Sequence, residues 1–361
     1  VRLKPGCAGA VGTLDGGILT ALGGTGMFLS GMAGMTDALR AATGGRLRRI
    51  LARFTATPLR GALTGAAATA AVQSSSAVTV ITLGFVGAGL MTFPQSLGVL
   101  YGANIGTTAT GWIVTLVGLK LDMAGLALPL LFIAALAAAL GPPGVARAGQ
   151  GVAGLALLFL GLGFMQDGMA GIEGRITPDR LPSDDRAGRS LLVLIGLPGA
   201  AILQSSSAGM AMTLVLLGGG ATSFAQAAAI VVGLNIGTCV TGLIAVLEGT
   251  RPALQAAVAH VLFNVISALA VMPVLGSVAR LAASADPQAA LVLFHTALNV
   301  LGVAIFLPFT DAFARLVARL VPDRAGAALG PPLDRTLLAD PHAALDSAQA
   351  LAGAVANAAL A

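Results

Sequence analysis

Charge is what this 361-residue chain has least of: Asp, Glu, Lys and Arg together make up 10% of it. A soluble globular domain carries roughly 25%, so the chain has too little polar surface to face water. With 56% hydrophobic residues and a mean hydropathy of +0.91, it reads as an integral membrane protein. Strand formers in alternation are also missing, and Ala, Leu and Gly dominate instead. A helical bundle then remains as the way to satisfy the backbone in lipid. Cysteine is nearly absent: Cys7 and Cys239 lie far apart, in no metal or redox spacing. A pI near 10.2 raises nucleic acid as a partner, but the basic residues fall between apolar spans. That is the cytoplasmic Lys/Arg bias of membrane proteins, and no nucleic-acid partner is expected. No leader with a cleavage site is expected ahead of the first span.

What is present is a duplication. Gln73-Ser74-Ser75-Ser76-Ala77 recurs as Gln204-Ser205-Ser206-Ser207-Ala208, and Asn104-Ile105-Gly106-Thr107 recurs as Asn235-Ile236-Gly237-Thr238. Both motifs keep one offset of 131 positions, as do Thr82 with Thr213, Gln95 with Gln226 and Gly102 with Gly233. Compositional bias produces no such register. The first helix repeats more weakly: Leu29 to Asp37 is echoed by Phe159 to Asp167, one residue closer.

The expected organisation follows. Residues 1–17 are a polar lead, 18–140 a first transmembrane repeat, 151–311 a second repeat with additional helices, and 312–361 a polar cytoplasmic tail. In each repeat a helix (18–39, 151–170) leads through a connector to an apolar segment interrupted at Gln-Ser-Ser-Ser (61–90, 192–218). Each half of such a segment is too short for a span of about 20 residues. The connector at 40–60 holds six Arg (Arg40, Arg46, Arg48, Arg49, Arg53, Arg60) and no acid, whereas the one at 171–191 balances four Arg with four acids. The positive-inside rule places the first in the cytoplasm and the second outside. With interrupted segments that enter and leave on one side, an odd number of crossings separates the copies, which also inverts the second repeat. The fold class expected is therefore an all-α membrane protein of two inverted repeats, each with a re-entrant broken-helix hairpin.

Breaking a helix inside the hydrocarbon layer frees backbone groups at several kcal/mol each unless they find partners. Gln73, Ser74, Ser75, Ser76 and their counterparts Gln204, Ser205, Ser206, Ser207 supply partners and also oxygens. A hard cation such as Na+ takes neutral oxygen ligands, by analogy with other hard ions. The helix that restarts after the break aims N–H groups at an anion. Paired discontinuous helices are a sequence pointer to a transporter's site; the plainer account, Ser and Gln as glue between helices, does not explain two copies of an interrupted segment. Asn104, Thr107, Asn235 and Thr238 are expected as ligands or as support behind them. No carboxylate lies in either motif region, so a bound cation would be held by neutral oxygens. A smaller repeat of period 35, His260-x-x-x-Asn264 and His295-x-x-x-Asn299, puts each pair on one helix face. Of a proton relay and a structural hydrogen bond to Asn or to a neighbouring helix, the second is favoured, with each His paired to the Asn one turn on.

These motifs resemble the type II sodium–phosphate cotransporter family, from about Gly24 to Pro322. The doubled Gln-Ser-Ser-Ser-Ala carries the resemblance, supported by the doubled Asn-Ile-Gly-Thr, by Gly44-Gly45-Arg46-Leu47-Arg48-Arg49-Ile50-Leu51 and by Ala259-His260-Val261-Leu262-Phe263-Asn264. It implies sodium-coupled symport of inorganic phosphate by alternating access across the bacterial inner membrane, with phosphate and Na+ held by the two hairpins. It also implies that Na+ is a coupling ion, with no cofactor. Bacterial relatives continue through a Leu-Asp…Leu…Pro linker into a helical cytoplasmic domain, and Leu333-Asp334 to Leu345 resembles that linker. An intramembrane serine hydrolase and a passive anion channel or phosphate exporter are the alternatives. A hydrolase needs one nucleophile with a positioned base; a symmetric doubling of the Ser run without a Gly-x-Ser-x-Gly elbow argues against it.

Overall fold

The computed structural model describes residues 13–119, 123–172, 174 and 176–322. Two compact units divide the chain, residues 1–317 and 318–361, and the helices that build the site lie in the first. The described residues are helical, without a strand. In order they form α1 (Thr13–Arg53), α2 (Pro58–Val72), α3 (Ser75–Gly87), α4 (Phe93–Trp112), α5 (Ala124–Leu140), α6 (Pro143–Ala170) and α7 (Arg186–Leu203). Then come α8 (Ser206–Gly218), α9 (Phe224–Gly237), α10 (Cys239–Ala245), α11 (Arg251–Val271), α12 (Leu275–Ala282), α13 (Pro287–Phe306) and α14 (Thr310–Leu320). A π-helical stretch, Ile113–Leu119, extends α4.

Among the described residues six helical stretches are long and apolar enough to cross a membrane: Gly16–Gly45, Pro143–Ala170, Arg186–Leu203, Phe224–Ala245, Arg251–Ala282 and Pro287–Leu320. Their outer faces carry Leu19, Leu194, Ile202, Leu269, Leu293 and Leu301, all more than half exposed. In water such a surface would be untenable; against lipid it is the expected one. This is a multi-pass membrane protein.

Small residues set the packing. Along α1 and α6, Gly17 meets Gly168, Gly24 meets Gly161, and Gly31 meets Gly154, so the two helices run antiparallel with their backbones in contact. A Cβ on Gly24 would stand 2.6 Å from the Gly161 carbonyl oxygen, which leaves no room for any side chain. Without a hydrophobic force between helices in lipid, this close van der Waals contact is what joins them. The connectors that follow α1 and α6 leave from opposite ends of the pair. α2 and α4 pack as closely but run in the same direction: Pro58 lies against Gly98, Ala62 against Gly102, and Ala66 against Gly106. α7 and α9 repeat the arrangement, with Val193 against Gly233 and Leu197 against Gly237. Both α4 and α9 start on reciprocal caps, Thr92 with Gln95 and Ser223 with Gln226, each side chain bonding the other's backbone. The core falls into two clusters, one around α1, α6, α8 and α9, the other around α2, α3, α4 and α11.

Two expected boundaries move. The Arg-rich stretch read as a connector is helix up to Arg53, and the link to α2 is only Phe54–Thr57. Its Ala, Leu and Arg are strong helix formers, and Leu47 and Leu51 bury one face at a spacing of four. The polar tail also starts later than residue 312. α14 is amphipathic and buries Thr310, Phe313, Ala314 and Val317, the i, i+3, i+4, i+7 stripe of a packed helix. The lead at 1–12, the turn at 120–122, Glu173 and Arg175 of the second connector, and the linker-like stretch beyond Asp323 lie outside the described residues.

Candidate ion-binding site

Each Gln-Ser-Ser-Ser motif ends one helix and starts the next. Gln73 closes α2 with φ 56° and ψ 32°, and Gln204 closes α7 with φ 48° and ψ 26°. They are the two non-glycine residues with positive φ among those described. A left-handed residue other than Gly costs about 1–3 kcal/mol and persists where its surroundings hold it, most often at functional sites. The following serine is the N-cap in both copies: Ser74 Oγ accepts from the Ala77 N–H and Ser205 Oγ from the Ala208 N–H, each at 3.2 Å. The first N–H groups of α3 and α8, at Ser75, Ser76, Ser206 and Ser207, have no intrahelical acceptor.

The two breaks share one cavity of about 250 Å³, lined by Gln73, Ser74, Ser75, Ser76, Gln204, Ser205, Ser206 and Ser207. That is room for several waters, enough for a tetrahedral oxyanion with cations beside it. Thr107 and Thr110 of α4 and Thr36, Asp37 and Arg40 of α1 complete its polar wall. A hydrogen-bond chain crosses between the motifs: Ser207 Oγ donates to Thr110 Oγ1 at 3.2 Å, and Thr110 Oγ1 donates to Gln73 Oε1 at 2.9 Å. Gln73 Nε2 turns back to the Ala70 carbonyl at 2.6 Å and caps its own helix. Two helix N-termini, each carrying roughly +0.5 charge, therefore face the same space as two helix C-termini of roughly −0.5. Such a cavity presents donors to an anion and bare carbonyl and amide oxygens to a cation.

Of the expected residues, the eight of the Gln-Ser-Ser-Ser motifs and Thr107 line this cavity; Asn104, Asn235 and Thr238 do not. Thr238 Oγ1 donates to its own helix, at the Asn235 carbonyl. Asn104 and Asn235 belong instead to a buried polar network. Asn264 Oδ1 accepts from Asn104 Nδ2 at 3.1 Å and from Asn235 Nδ2 at 3.2 Å, and Asn235 Nδ2 also donates to Asn299 Oδ1 at 2.9 Å. Here the expected pairing of each His with the Asn one turn on is corrected. His260 Nε2 bonds Asn104 Oδ1 at 3.0 Å and His295 Nε2 bonds Asn235 Oδ1 at 3.1 Å, while Asn264 and Asn299 donate back to the His260 and His295 carbonyls. On one helix face the Asn amide reaches the backbone carbonyl four residues back, so the imidazole is left for the neighbouring helix. Those carbonyls can only accept, which fixes both amide orientations and, through Asn104 and Asn235, makes each Nε2 the protonated nitrogen.

Four polar lining residues, Thr36, Asp37, Arg40 and Thr110, are not among the expected site residues. Thr110 could have been found, because the duplication runs on: Thr110-Gly111 recurs as Thr241-Gly242. Arg40 could not, since one Arg among six reads as a topology signal.

A family model described as Na+/Pi-cotransporter matches residues 27–167 and 186–306. The chain is 32% identical to "Uncharacterized protein YqeW" of Bacillus subtilis over 74% of its own length and 86% of that protein. It is 30% identical to "Putative inorganic phosphate export protein YjbB" of Salmonella typhimurium and of Escherichia coli K12, over 70% of its own length and 46% of theirs. No solved structure matches it.

Proposed function

The chain belongs to the Na+/Pi-cotransporter family, and from that premise we propose that it carries inorganic phosphate together with Na+ across a bacterial inner membrane by alternating access. The observation that carries this reading is the one cavity shared by both breaks. An oxyanion bound there alone would leave net charge at membrane depth, and an uncompensated charge is expensive to bury. Cations on the neighbouring carbonyl, hydroxyl and amide oxygens cancel that charge, so each ion favours the other's binding. Coupling is then an electrostatic consequence of the shared space. The relatives named for phosphate export fit the same cycle, because alternating access is reversible and the gradients set its direction.

Two sets of contacts support inverted repeats with re-entrant hairpins. Gly24 meets Gly161, and their repeat equivalents Gly154 and Gly31 meet each other. Reciprocal contact between equivalent positions on antiparallel helices is the signature of a two-fold axis lying across them. Because α2 and α4 are parallel and side by side, α3 must return toward the start of α2 before α4 begins. At ~1.5 Å per residue, neither arm of this break reaches across a ~30 Å core. A hydrolase reading lacks such support among the described residues: the Nε2 atoms of His260 and His295 are bonded to Asn side chains rather than to a motif serine.

Purified protein in proteoliposomes should accumulate radiolabelled phosphate when Na+ is high on one side, and should not when K+ replaces it. Downhill flux indifferent to Na+ would instead identify a passive anion pathway. The inverted arrangement has its own check. Single cysteines at Arg48 and Asp184, on a background without Cys7 and Cys239, should react with an impermeant maleimide from opposite faces, Arg48 from the cytoplasm. Labelling of both from one face would rule out inversion.

A further inference from the structure

We infer that Arg40 is a ligand for the transported oxyanion, supplied by one of the two repeats only. The inference rests on the reading of the shared cavity as the phosphate site. Asp37 and Arg40 are the two ionisable side chains on the cavity wall, both from α1. Arg40 Nη2 donates to Ser74 Oγ at 2.8 Å, at the mouth of the α3 N-terminus. Its other terminal nitrogen, Nη1, stands 3.8 Å from Asp37 Oδ1, too far for a hydrogen bond. A guanidinium carries five N–H donors in a planar fork, so most of its hydrogen-bonding capacity is uncommitted. The side chain is 43% exposed, which leaves it free to move. A phosphate oxygen placed over the Ser75 and Ser76 N–H groups would lie beside this fork, which pairs with two oxygens at once.

The duplication sharpens the point. Asp37 has its counterpart in Asp167, but the position equivalent to Arg40 is Ala170. The helix termini and serines come in two copies, and the guanidinium in one. The two N-termini and the two C-termini that face the cavity offset one another, so the guanidinium is the one full positive charge on the described wall. Asp37 opposes it, with its carboxylate 3.8 Å from Arg40 Nη1.

The test measures phosphate affinity by titration calorimetry on purified, monodisperse protein at fixed Na+, and Na+ affinity without phosphate, for wild type, Arg40→Ala, Arg40→Lys and Asp37→Asn. Wild type that binds no phosphate would overturn the reading of the cavity itself. Given wild-type binding, Arg40→Ala should weaken phosphate about 10- to 50-fold, somewhat less than a fully buried charged bond because the group is half exposed. Its Na+ affinity should hold or rise, since a positive charge near the cation oxygens is gone. Damage to the fold would lower both affinities together. Arg40→Lys, with the charge but not the fork, should bind phosphate between wild type and Arg40→Ala. Asp37→Asn should bind it more tightly than wild type. Arg40→Ala with unchanged phosphate affinity, or with both affinities reduced in parallel, would overturn the inference and leave the cavity reading intact.

Discussion

Replacing Gln73 by glycine should cut Na+-driven phosphate uptake by about 10- to 150-fold while leaving thermal stability within about 1 kcal/mol of wild type. The substitution separates two tasks that one residue performs. The backbone task is the left-handed turn that ends α2, with φ 56° and ψ 32°. Glycine adopts it without a Cβ clash, a gain of about 1 kcal/mol or more, offset by the extra freedom of glycine in the unfolded chain, about 0.5–1 kcal/mol. The two nearly cancel. The side-chain task is lost outright: Oε1 no longer accepts from Thr110, the chain from Ser207 through Thr110 is cut, and the cavity loses an amide oxygen. A hydrogen bond to a charged group contributes about 1.5–3 kcal/mol, which sets the size of the transport defect. Gln204→Gly should behave alike. Ser75→Ala and Ser206→Ala, which remove hydroxyls from the same wall, should each weaken phosphate or Na+ dependence by about 5- to 150-fold, while Val80→Ala, on a side chain 41% exposed at the surface, should not. Gln73→Gly protein that transports normally would reduce the amide to the cap it makes on the Ala70 carbonyl.

The breaks were legible in the sequence because polar residues in a long apolar run need a reason, and a second copy at the same offset removes chance. That reasoning led to eight of the cavity's residues, and the Thr110–Thr241 correspondence would have supplied another. Elsewhere sequence was ambiguous for physical reasons. An Arg-rich stretch satisfies the positive-inside rule whether it is loop or helix, so the run of α1 to Arg53, and with it the reach of Arg40 over the cavity, could not be read from composition. The Asn residues were ambiguous in a different way. Their constant distance from the Gln-Ser-Ser-Ser motifs tied them to the site, yet that distance follows from the duplication alone. Nothing in either repeat announces that a period of 131 and a period of 35 meet in one network, because side chains from α4, α9, α11 and α13 are joined only by tertiary packing.

Asn264→Leu should destabilise the protein by about 2–4 kcal/mol, the largest loss of stability expected from one substitution in that network. Asn264 stands where the two halves meet, since its single Oδ1 accepts from Asn104 of the first repeat and Asn235 of the second. Leu has a similar volume, so the effect is polar rather than a cavity. It strands the Asn104 amide donor and one N–H of Asn235 among buried groups, at about 1–3 kcal/mol for each group left without a partner. Single interhelical bonds in membranes average only ~0.6 kcal/mol, because the separated helices find other partners. That lowers the sum but does not cancel it, since Asn104 and Asn264 are 5% and 2% exposed and tied to His260 as well. Asn299→Leu should cost about half as much, because Asn235 Nδ2 keeps its bond to Asn264. The single tryptophan, Trp112, bridges α4 to α13 through Thr296 at 3.1 Å, so its fluorescence reports the separation of two helices that the network joins. Unfolding followed by that signal in detergent should rank wild type above Asn299→Leu above Asn264→Leu. At low temperature, where Asn264→Leu stays folded, phosphate and Na+ affinities should remain near wild type, because Asn264 does not line the cavity. An Asn264→Leu protein of normal stability that has lost its Na+ dependence would show the reverse, that Asn104 and Asn235 serve a bound ion and not the joint between the two halves.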